Sequence, residues 1–288
     1  MATGKAPGKI GVTELSATES ADRTVPQRPA DVVIVRKCET LSEMQACFAL
    51  QKEVWKFADA DLIPVRMFVV AEKIGGQVIG AFVTKNDKNN DENELIGFAL
   101  AIPGIRNGHH YLHSQMLAVR QQNRNGGLGR RIKLYQREDA LARGFELMEW
   151  TFDPLEIKNA YLNIEKLGAI ARRYNVNQYG ITSSPLQGGL PTDRLVAEWW
   201  LKSERVEAVL ANAPRARFEC RAHVDIPAEI YNWKADANTR KQALAVQERN
   251  RRQFERLFAE GQTALGYERD ELGNGRFLMG QWDEDWQY

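Results

Sequence analysis

Cysteine, an excess of one charge and long apolar runs are all scarce in this chain, and each shortage excludes a class of protein. The three cysteines are odd in number and have no C-x-x-C spacing, which excludes a disulfide framework and a zinc knuckle and predicts reduced thiols. The 39 Lys and Arg residues nearly balance the 38 Asp and Glu residues, which excludes a strongly basic nucleic-acid binder. No apolar run reaches the length of a membrane helix. We therefore predict a cytoplasmic protein with no membrane and no nucleic-acid partner.

The N-terminal region lacks the apolar segment of a secretion signal. Residues 1–30 are small and polar, contain Gly and Pro and show no periodicity, which predicts a disordered leader. With 288 residues, of which 43% are hydrophobic, the chain is long enough to bury a proper core.

Two familiar phosphate-binding motifs are also missing. A Walker loop ends in Gly-Lys-Ser/Thr, and none is present. A dinucleotide turn reads G-x-G-x-x-G, but after Gly127 and Gly129 the third glycine position is occupied by Ile132. An oxidoreductase built on this turn stays an alternative that relative affinity for NAD and acyl-CoA would decide.

The stretch from Leu112 to Gly168 carries the clearest pattern. A strand is followed by a Gly-rich turn and then by apolar residues at helical spacing. A helix that begins in such a turn leaves backbone N–H groups unpaired at its positive end, which suits a phosphate. The residues of this predicted anion site are Arg124, Asn125, Gly126, Gly127, Leu128, Gly129 and Arg130.

The turn reads R-x-x-G-x-G and resembles the acyl-CoA pyrophosphate loop of the GNAT superfamily of N-acyltransferases. The following strand, and a helix that ends in the E-K-L-G of residues 165–168, match the same plan. The segment WTFDPLEIKNAYLNIEKLGAIARRYNVNQYG is similar to a bacterial branch of predicted acyltransferases, some of which are associated with N-succinylation of amino acids. This resemblance runs from about Val32 to Trp286.

The resemblance implies a donor site for acetyl-CoA or succinyl-CoA, with no metal. Backbone groups of the strand would pair with the pantetheine arm, and the N–H near Leu117 would steady the thioester oxygen. Asn159 would bond a pantetheine amide, although an exposed helix position explains it as well. The strand residues implied for the donor are Met116, Leu117, Ala118 and Val119.

The resemblance also implies a general base on this strand, where His113 occupies the usual place. An amine must lose a proton to attack a thioester, and an imidazole suits that task near neutral pH. Positions 113, 115, 117 and 119 are expected to share one face. Glu53 and Asp153 are rival bases, and a structural, hydrogen-bonded histidine is an equal alternative.

The usual proton donor to the leaving thiolate is a tyrosine, but counting back from Gly168 places Ile164 at that position. Tyr161, one turn earlier, would substitute; otherwise the thiolate leaves unassisted, since a thiol has a pKa of about 8.5.

The acceptor pocket is expected near the end of the first helix and at the ends of later strands. Trp55 would form a wall of the pocket, and Arg173 or Arg194 would bind an acceptor carboxylate through a bidentate pair. Asp153 with Pro154 predicts a helix N-cap, with acceptor binding as the second interpretation. For each of these residues a purely structural role is the competing explanation.

The predicted architecture is an α/β GNAT fold, with a mixed, mostly antiparallel twisted sheet, helices on both faces and a C-terminal extension. We expect a leader over 1–30, an acyltransferase domain over 31–210, and an extension over 211–288 that packs on it. The predicted function is transfer of an acetyl or succinyl group to the primary amine of a small molecule such as an amino acid. The alternative is a CoA-binding regulatory module without turnover, and a homodimer stays open.

Overall fold

The computed structural model describes residues 32–84, 93–180 and 182–282, so the predicted leader lies outside the described residues. In chain order the elements are β1 (Val32–Lys37), α1 (Leu41–Trp55), α2 (Val65–Lys73), β2 (Gln77–Thr84), β3 (Asn93–Arg106), β4 (His109–Val119), α3 (Leu128–Ala142), β5 (Leu147–Phe152), α4 (Ile157–Tyr161), β6 (Ile170–Asn175), β7 (Arg194–Trp200), α5 (Glu204–Leu210), β8 (Ala222–Ile226), α6 (Ile230–Ala235), α7 (Arg240–Ala259), β9 (Gln262–Arg269) and β10 (Gly275–Gln281). A π-helical segment, Leu162–Lys166, continues α4.

The described strands form one sheet in the order β1-β2-β3-β4-β5-β7-β6-β9-β10-β8. Neighbouring strands run antiparallel except β4 and β5, which pair in parallel. The mixed, mostly antiparallel sheet is therefore confirmed.

Helices cover both faces of this sheet. On the α1 face, α1 and α2 pack over a cluster that includes Phe68, Phe98 and Met116. On the α3 face, Ile132 of α3 packs near β1 to β4, and α7 covers the later strands through Phe254. None of the helices in the described part of the chain is long and apolar enough to cross a membrane.

The pattern Thr40-Leu-Ser-Glu43 predicts a helix start, and α1 begins there with Thr40 as its N-cap. The Thr40 side chain accepts a hydrogen bond from the Glu43 backbone N–H, and the Glu43 carboxylate accepts one from the Thr40 backbone. This capping box satisfies donors that an uncapped helix start leaves unpaired.

The sequence predicts a strand over Met67–Lys73 and a hairpin turn at Gly75-Gly76, but this prediction is wrong, because the segment is part of helix α2. Its β-branched Val69 and Val70 favour a strand by propensity, but Phe68 and Ala71 are three residues apart and both are buried, which fits a helix. Gly75 and Gly76 therefore form a helix-to-strand turn. A Cβ on Gly76 would lie 2.3 Å from the carbonyl oxygen of Ala101, so only glycine fits there.

The sequence predicts an irregular segment over 211–235, but this region contains β8 and α6. In β8 the buried Val224 and Ile226 alternate with half-buried Asp225, which is the pattern of a strand that has one covered face. Strands β8, β9 and β10 continue the sheet beyond β6. The division of the chain at residue 210 stays a prediction.

Candidate active site

The parallel pairing of β4 and β5 is very short. It comprises Leu112 opposite Met148 and His113 opposite Glu149. Beyond His113, no described strand pairs with β4 on this side, so the two strands diverge and leave a cleft. The backbone of Met116–Val119 lines the β4 side of this cleft, and such a free strand edge can pair with an extended ligand.

A β-bulge at Gln115 accompanies the divergence. Leu100 of β3 pairs with Met116, and the next residue, Ala101, pairs with Ser114, so Gln115 is an extra residue in β4. A bulge of this kind bends its strand and increases the local twist.

The bulge also corrects the expectation that residues 113, 115, 117 and 119 share a face. Ser114 bonds Gln136 of α3 before the bulge, whereas Leu117 packs toward α3 after it. His113 therefore lies on the α1 face, as do Ile102, which is its partner on β3, and Met116. The α1 face carries the candidate base, while the α3 face carries Leu117 and Val119.

The Gly-rich turn lies at the open end of the cleft. Gly127 is the N-cap residue of α3 with a φ of 77°, and Asn125 also has a positive φ of 67°. Arg131 N makes the first backbone bond of the helix, to Gly127 O, so the N–H groups of residues 128–130 have no partner within the helix. A Cβ on Gly126 or Gly127 would meet no atom within 4 Å, so the turn itself borders open space. The sequence predicts a helix that begins in the Gly-rich turn, and α3 begins there, at Leu128.

Two arginines bracket this turn. Arg124 Nε donates to the Val119 carbonyl at 2.9 Å, and Arg130 Nε donates to the Lys166 carbonyl at 3.2 Å. The second contact joins the start of α3 to the π-helical segment after α4. Both guanidinium groups therefore add positive charge at the mouth of the cleft.

On the α1 face, His113 lies beside a buried charge network. Glu149 and Glu198 are opposite each other on β5 and β7, and both are buried in the sheet. Arg106 binds Glu149 with two hydrogen bonds of 3.0 and 2.7 Å. Arg173 donates to Glu149 and, at 3.0 Å, to Glu198.

Arg172 completes this network through a 3.0 Å bond to Glu198. Two carboxylates thus face three guanidinium groups, which leaves one positive charge on this face. The Arg173 side chain keeps 39% of its surface exposed, so it is accessible to an anionic group of a ligand.

His113 itself is half-buried. Burial lowers the pKa of His113 below its ordinary value, and the charges of Lys133 and Arg173 act in the same direction, whereas Glu149 opposes them. A lowered pKa keeps the imidazole neutral at neutral pH, which is the form that accepts a proton.

An apolar cavity of about 280 Å³ opens on the same face as His113. Gln115 of the bulge contributes the one amide side chain in its lining, and Ile102 connects the cavity to His113, its partner on β4. The cavity is lined by Leu62, Ile63, Pro64, Met67, Leu100, Ile102 and Gln115.

Trp55, predicted to form a wall of the acceptor pocket, and Glu53, a rival base, both lie near the C-terminal end of α1. Trp55 stacks on Phe57 with a centroid distance of 5.8 Å and packs edge-on against Phe98. Glu53 is exposed and forms an ion pair of 3.2 Å with Arg120, the residue after β4. Arg120 also pairs with Glu94, so its single positive charge is shared between two carboxylates.

The N-cap predicted at Asp153 is wrong, because α4 begins only at Ile157. Asp153 instead forms a tight turn, with Oδ1 accepting from the Leu155 N–H at 2.8 Å. Its Oδ2 accepts from Lys234 Nζ at 2.9 Å, and both side chains are buried. Both carboxylate oxygens are therefore engaged inside the protein, and neither is available to an acceptor.

The helix after β5 has no tyrosine directed into the cleft at the expected position. Ile164 is fully buried in the core of the α3 face. Tyr161 is half-buried, with Lys166 Nζ at 5.2 Å and the Arg269 guanidinium at 5.7 Å from its ring centroid. Asn159 is exposed on α4. The roles of Tyr161 and Asn159 stay predictions.

Sequence reasoning missed Glu149, Glu198 and Arg106. A signal for the two acids was present, since each lies inside an otherwise apolar strand segment, LMEWTF and RLVAEWW. A carboxylate inside a buried strand requires a charged partner. Arg106 follows an apolar run and carries no comparable signal.

No family model matches this sequence, and no curated protein matches it either. Among solved structures, a GNAT-family acetyltransferase from Streptococcus pneumoniae is 16% identical, with a TM-score of 0.46, and the match covers 58% of this chain and 98% of that one. Arabidopsis thaliana NAA60 in complex with acetyl-CoA is 12% identical, with a TM-score of 0.49, covering 60% of this chain and all of that one (100%). The ribosomal-protein-S18-alanine N-acetyltransferase of Escherichia coli is 14% identical, with a TM-score of 0.44, covering 60% and 96%. These matches are similarities of fold.

Proposed function

We propose that this protein is a GNAT-type N-acyltransferase that moves an acyl group from acyl-CoA to a primary amine. The observation that carries the proposal is the cleft between β4 and β5, with the unpaired N–H groups of residues 128–130 at its open end. A free strand edge suits the amides of a pantetheine arm, and the helix start suits a pyrophosphate. One ligand that contains both groups in sequence is coenzyme A.

The donor residues would act mainly by positioning. The turn from Arg124 to Arg130 would bind the pyrophosphate, and the backbone of Met116–Val119 would hold the arm in the cleft. The N–H near Leu117 would donate to the thioester oxygen, where negative charge develops. Holding donor and acceptor in one geometry accounts for much of the rate gain in such transfers.

His113 is the proposed base because it lies on the α1 face beside the closed end of the cleft. It would take a proton from the amine as nitrogen attacks the acyl carbon. The apolar cavity lined by Ile102 and Gln115 would hold the apolar part of the acceptor. A carboxylate on the acceptor would bind Arg173, which favours an amino acid.

For the donor, acetyl-CoA is the default, and succinyl-CoA is the alternative suggested by the sequence resemblance. A CoA-binding module without turnover is the second candidate function, and the apolar residue at position 164 favours it, since the usual proton-donating tyrosine is missing.

The test is thiol release followed with a thiol-reactive dye. Acetyl-CoA and succinyl-CoA are offered separately to the full chain with a panel of L- and D-amino acids and their carboxamides. We expect acceptor-dependent release that is faster with free acids than with carboxamides. Tight CoA binding without release from any pair would support the regulatory module, and affinity for acyl-CoA no higher than for NAD would overturn the donor site.

A further inference from the structure

Lys133 is a buried lysine that has no role in the acyl transfer proposed above. It lies on α3, its side chain is almost fully enclosed at 2% exposure, and no Asp or Glu in the described part of the chain lies within ion-pair distance of it. Burying an ammonium group without a carboxylate partner is costly. Such a group often marks a functional position, because a structural role is served at lower cost by an apolar side chain.

Its contacts place Lys133 at the closed end of the cleft. Nζ donates to Ser114 Oγ at 2.7 Å, and it lies 3.8 Å from the centroid of the Trp150 ring. Ser114 and Trp150 directly follow His113 and Glu149, the last parallel pair of β4 and β5. The amine therefore spans the point at which the two strands separate.

The sheet separates this amine from the candidate base. Ser114 and Trp150 belong to the α3 face, whereas His113 belongs to the α1 face. A thioester held in the cleft would have the acceptor approach on the His113 side, and its sulfur would lie toward the α3 face. This arrangement puts a proton acceptor and a proton donor on opposite sides of one reacting carbon.

We propose that Lys133 donates a proton to the thiolate that leaves during acyl transfer. The acceptor nitrogen forms a bond to the acyl carbon while the carbon–sulfur bond breaks and its electron pair goes to sulfur. The amine proton goes to His113, and one Nζ proton goes to sulfur, which gives free CoA thiol. Lys133 then regains a proton from solvent, and His113 releases one.

The hydrogen-bond inventory of Lys133 fits this role. A neutral amine has two N–H groups, and Ser114 and the face of Trp150 accept them. An ammonium has a third N–H group, and no acceptor for it lies among the described residues. A thiolate in the cleft would be that acceptor. Burial also lowers the pKa of Lys133 well below its ordinary value, so its ammonium form gives up a proton more readily.

The proposal rests on the donor site proposed above, and the following test separates the two. Binding of CoA and of desulfo-CoA, which lacks the thiol, is measured by calorimetry at about pH 8.5, near the ordinary pKa of a thiol. For the wild type we expect CoA to bind about 30-fold more tightly than desulfo-CoA, the scale of one charge-assisted hydrogen bond. For Lys133→Met we expect the two ligands to bind equally.

Two further variants sharpen the result. Lys241→Met removes an exposed lysine of α7, outside the proposed site, and it should keep the wild-type preference for CoA. Lys133→Arg keeps a positive charge, but the guanidinium does not release its proton. This variant should still prefer CoA over desulfo-CoA, while its rate of acyl transfer should fall at least 100-fold.

An unchanged preference in Lys133→Met overturns the role of Lys133 and leaves the donor site standing. Equal binding of the two ligands by the wild type overturns it as well, whether or not any variant folds. Failure of the wild type to bind CoA at all overturns both proposals.

Discussion

Replacing Gly127 by alanine tests the donor site against a matched control elsewhere in the chain. Gly127 has a φ of 77°, and Gly108, in the turn between β3 and β4, has a φ of 82°. A Cβ at either position would meet no atom within 4 Å. The two substitutions thus impose the same backbone strain and no clash within the protein, and they differ in that Gly127 alone caps α3.

The expected magnitudes follow from this geometry. An L-residue in the left-handed region costs about 1 kcal/mol, so both Gly127→Ala and Gly108→Ala should lower the free energy of unfolding by about that amount. At Gly127 the new methyl group also stands at the N-cap of α3, within the proposed phosphate site. Loss of one charge-assisted hydrogen bond to a phosphate costs about 2 kcal/mol, or about 30-fold in affinity.

Urea unfolding and calorimetry of acetyl-CoA binding measure the two effects separately. We expect similar midpoints for the two variants and a loss of affinity in Gly127→Ala alone. Equal affinities in the two variants would refute the assignment of the pyrophosphate to this turn. A loss of affinity in Gly108→Ala would show that the strain acts through the sheet.

Two other substitutions probe the base and the core. His113→Gln should lower the rate by about 10²- to 10⁴-fold, far more than Glu53→Gln, and a smaller loss would exclude His113 as the base. Because burial lowers the pKa of His113, the imidazole stays neutral to lower pH, and the acid limb of the wild-type pH–rate profile should fall below pH 6.5. Asp193→Ala should destabilise the fold by about 3 kcal/mol in urea unfolding, because this fully buried carboxylate accepts from Arg251 at 2.9 and 3.1 Å and from the Tyr174 hydroxyl at 2.7 Å. Unchanged stability would mean that Arg251 and Tyr174 find other partners.

Local chemistry explains which parts of the fold were predictable. The glycines at 126, 127 and 129 and the apolar spacing after them act within a few residues, so the turn and α3 follow from the sequence. Helix α2 was missed because Val69 and Val70 favour a strand, while the burial that decides the outcome comes from α1 and β3, far away in the chain.

The site was less predictable because it depends on pairings between distant segments. The sequence indicates that Glu149 needs a charged partner, but Arg106 and Arg173 are brought to it by the order of the strands. The position of Lys133 beneath the cleft depends in the same way on how α3 crosses β4. Bulges leave no simple mark either, since Gln115 reads as an ordinary exposed residue in an alternating strand.

The bulge at Gln115 leads to a last prediction, which concerns the origin of the cleft. Deleting this residue would bring Ser114 and Met116 together, and Ala101 and Leu100 would still face them in order. Leu112, Ser114, Leu117 and Val119 would all still face α3, so the deletion preserves the burial of every other side chain in the strand. A regular strand twists less than a bulged one, so β4 should pair further along β5 and close the cleft.

We therefore expect the Gln115 deletion to keep or raise the free energy of unfolding and to lower CoA affinity by at least about 30-fold, the scale of two lost backbone hydrogen bonds of about 1 kcal/mol each. Gln115→Ala is the control, because it keeps the extra residue and removes only the side chain, and it should bind CoA as the wild type does. Full CoA affinity in the deletion variant would show that the divergence of β4 and β5 comes from the packing of α3 and α4 instead of the bulge. Because the deletion removes the extra residue itself, His113 and Leu117 would stay on opposite faces, and only the space between the strands in which donor and acceptor meet would be lost.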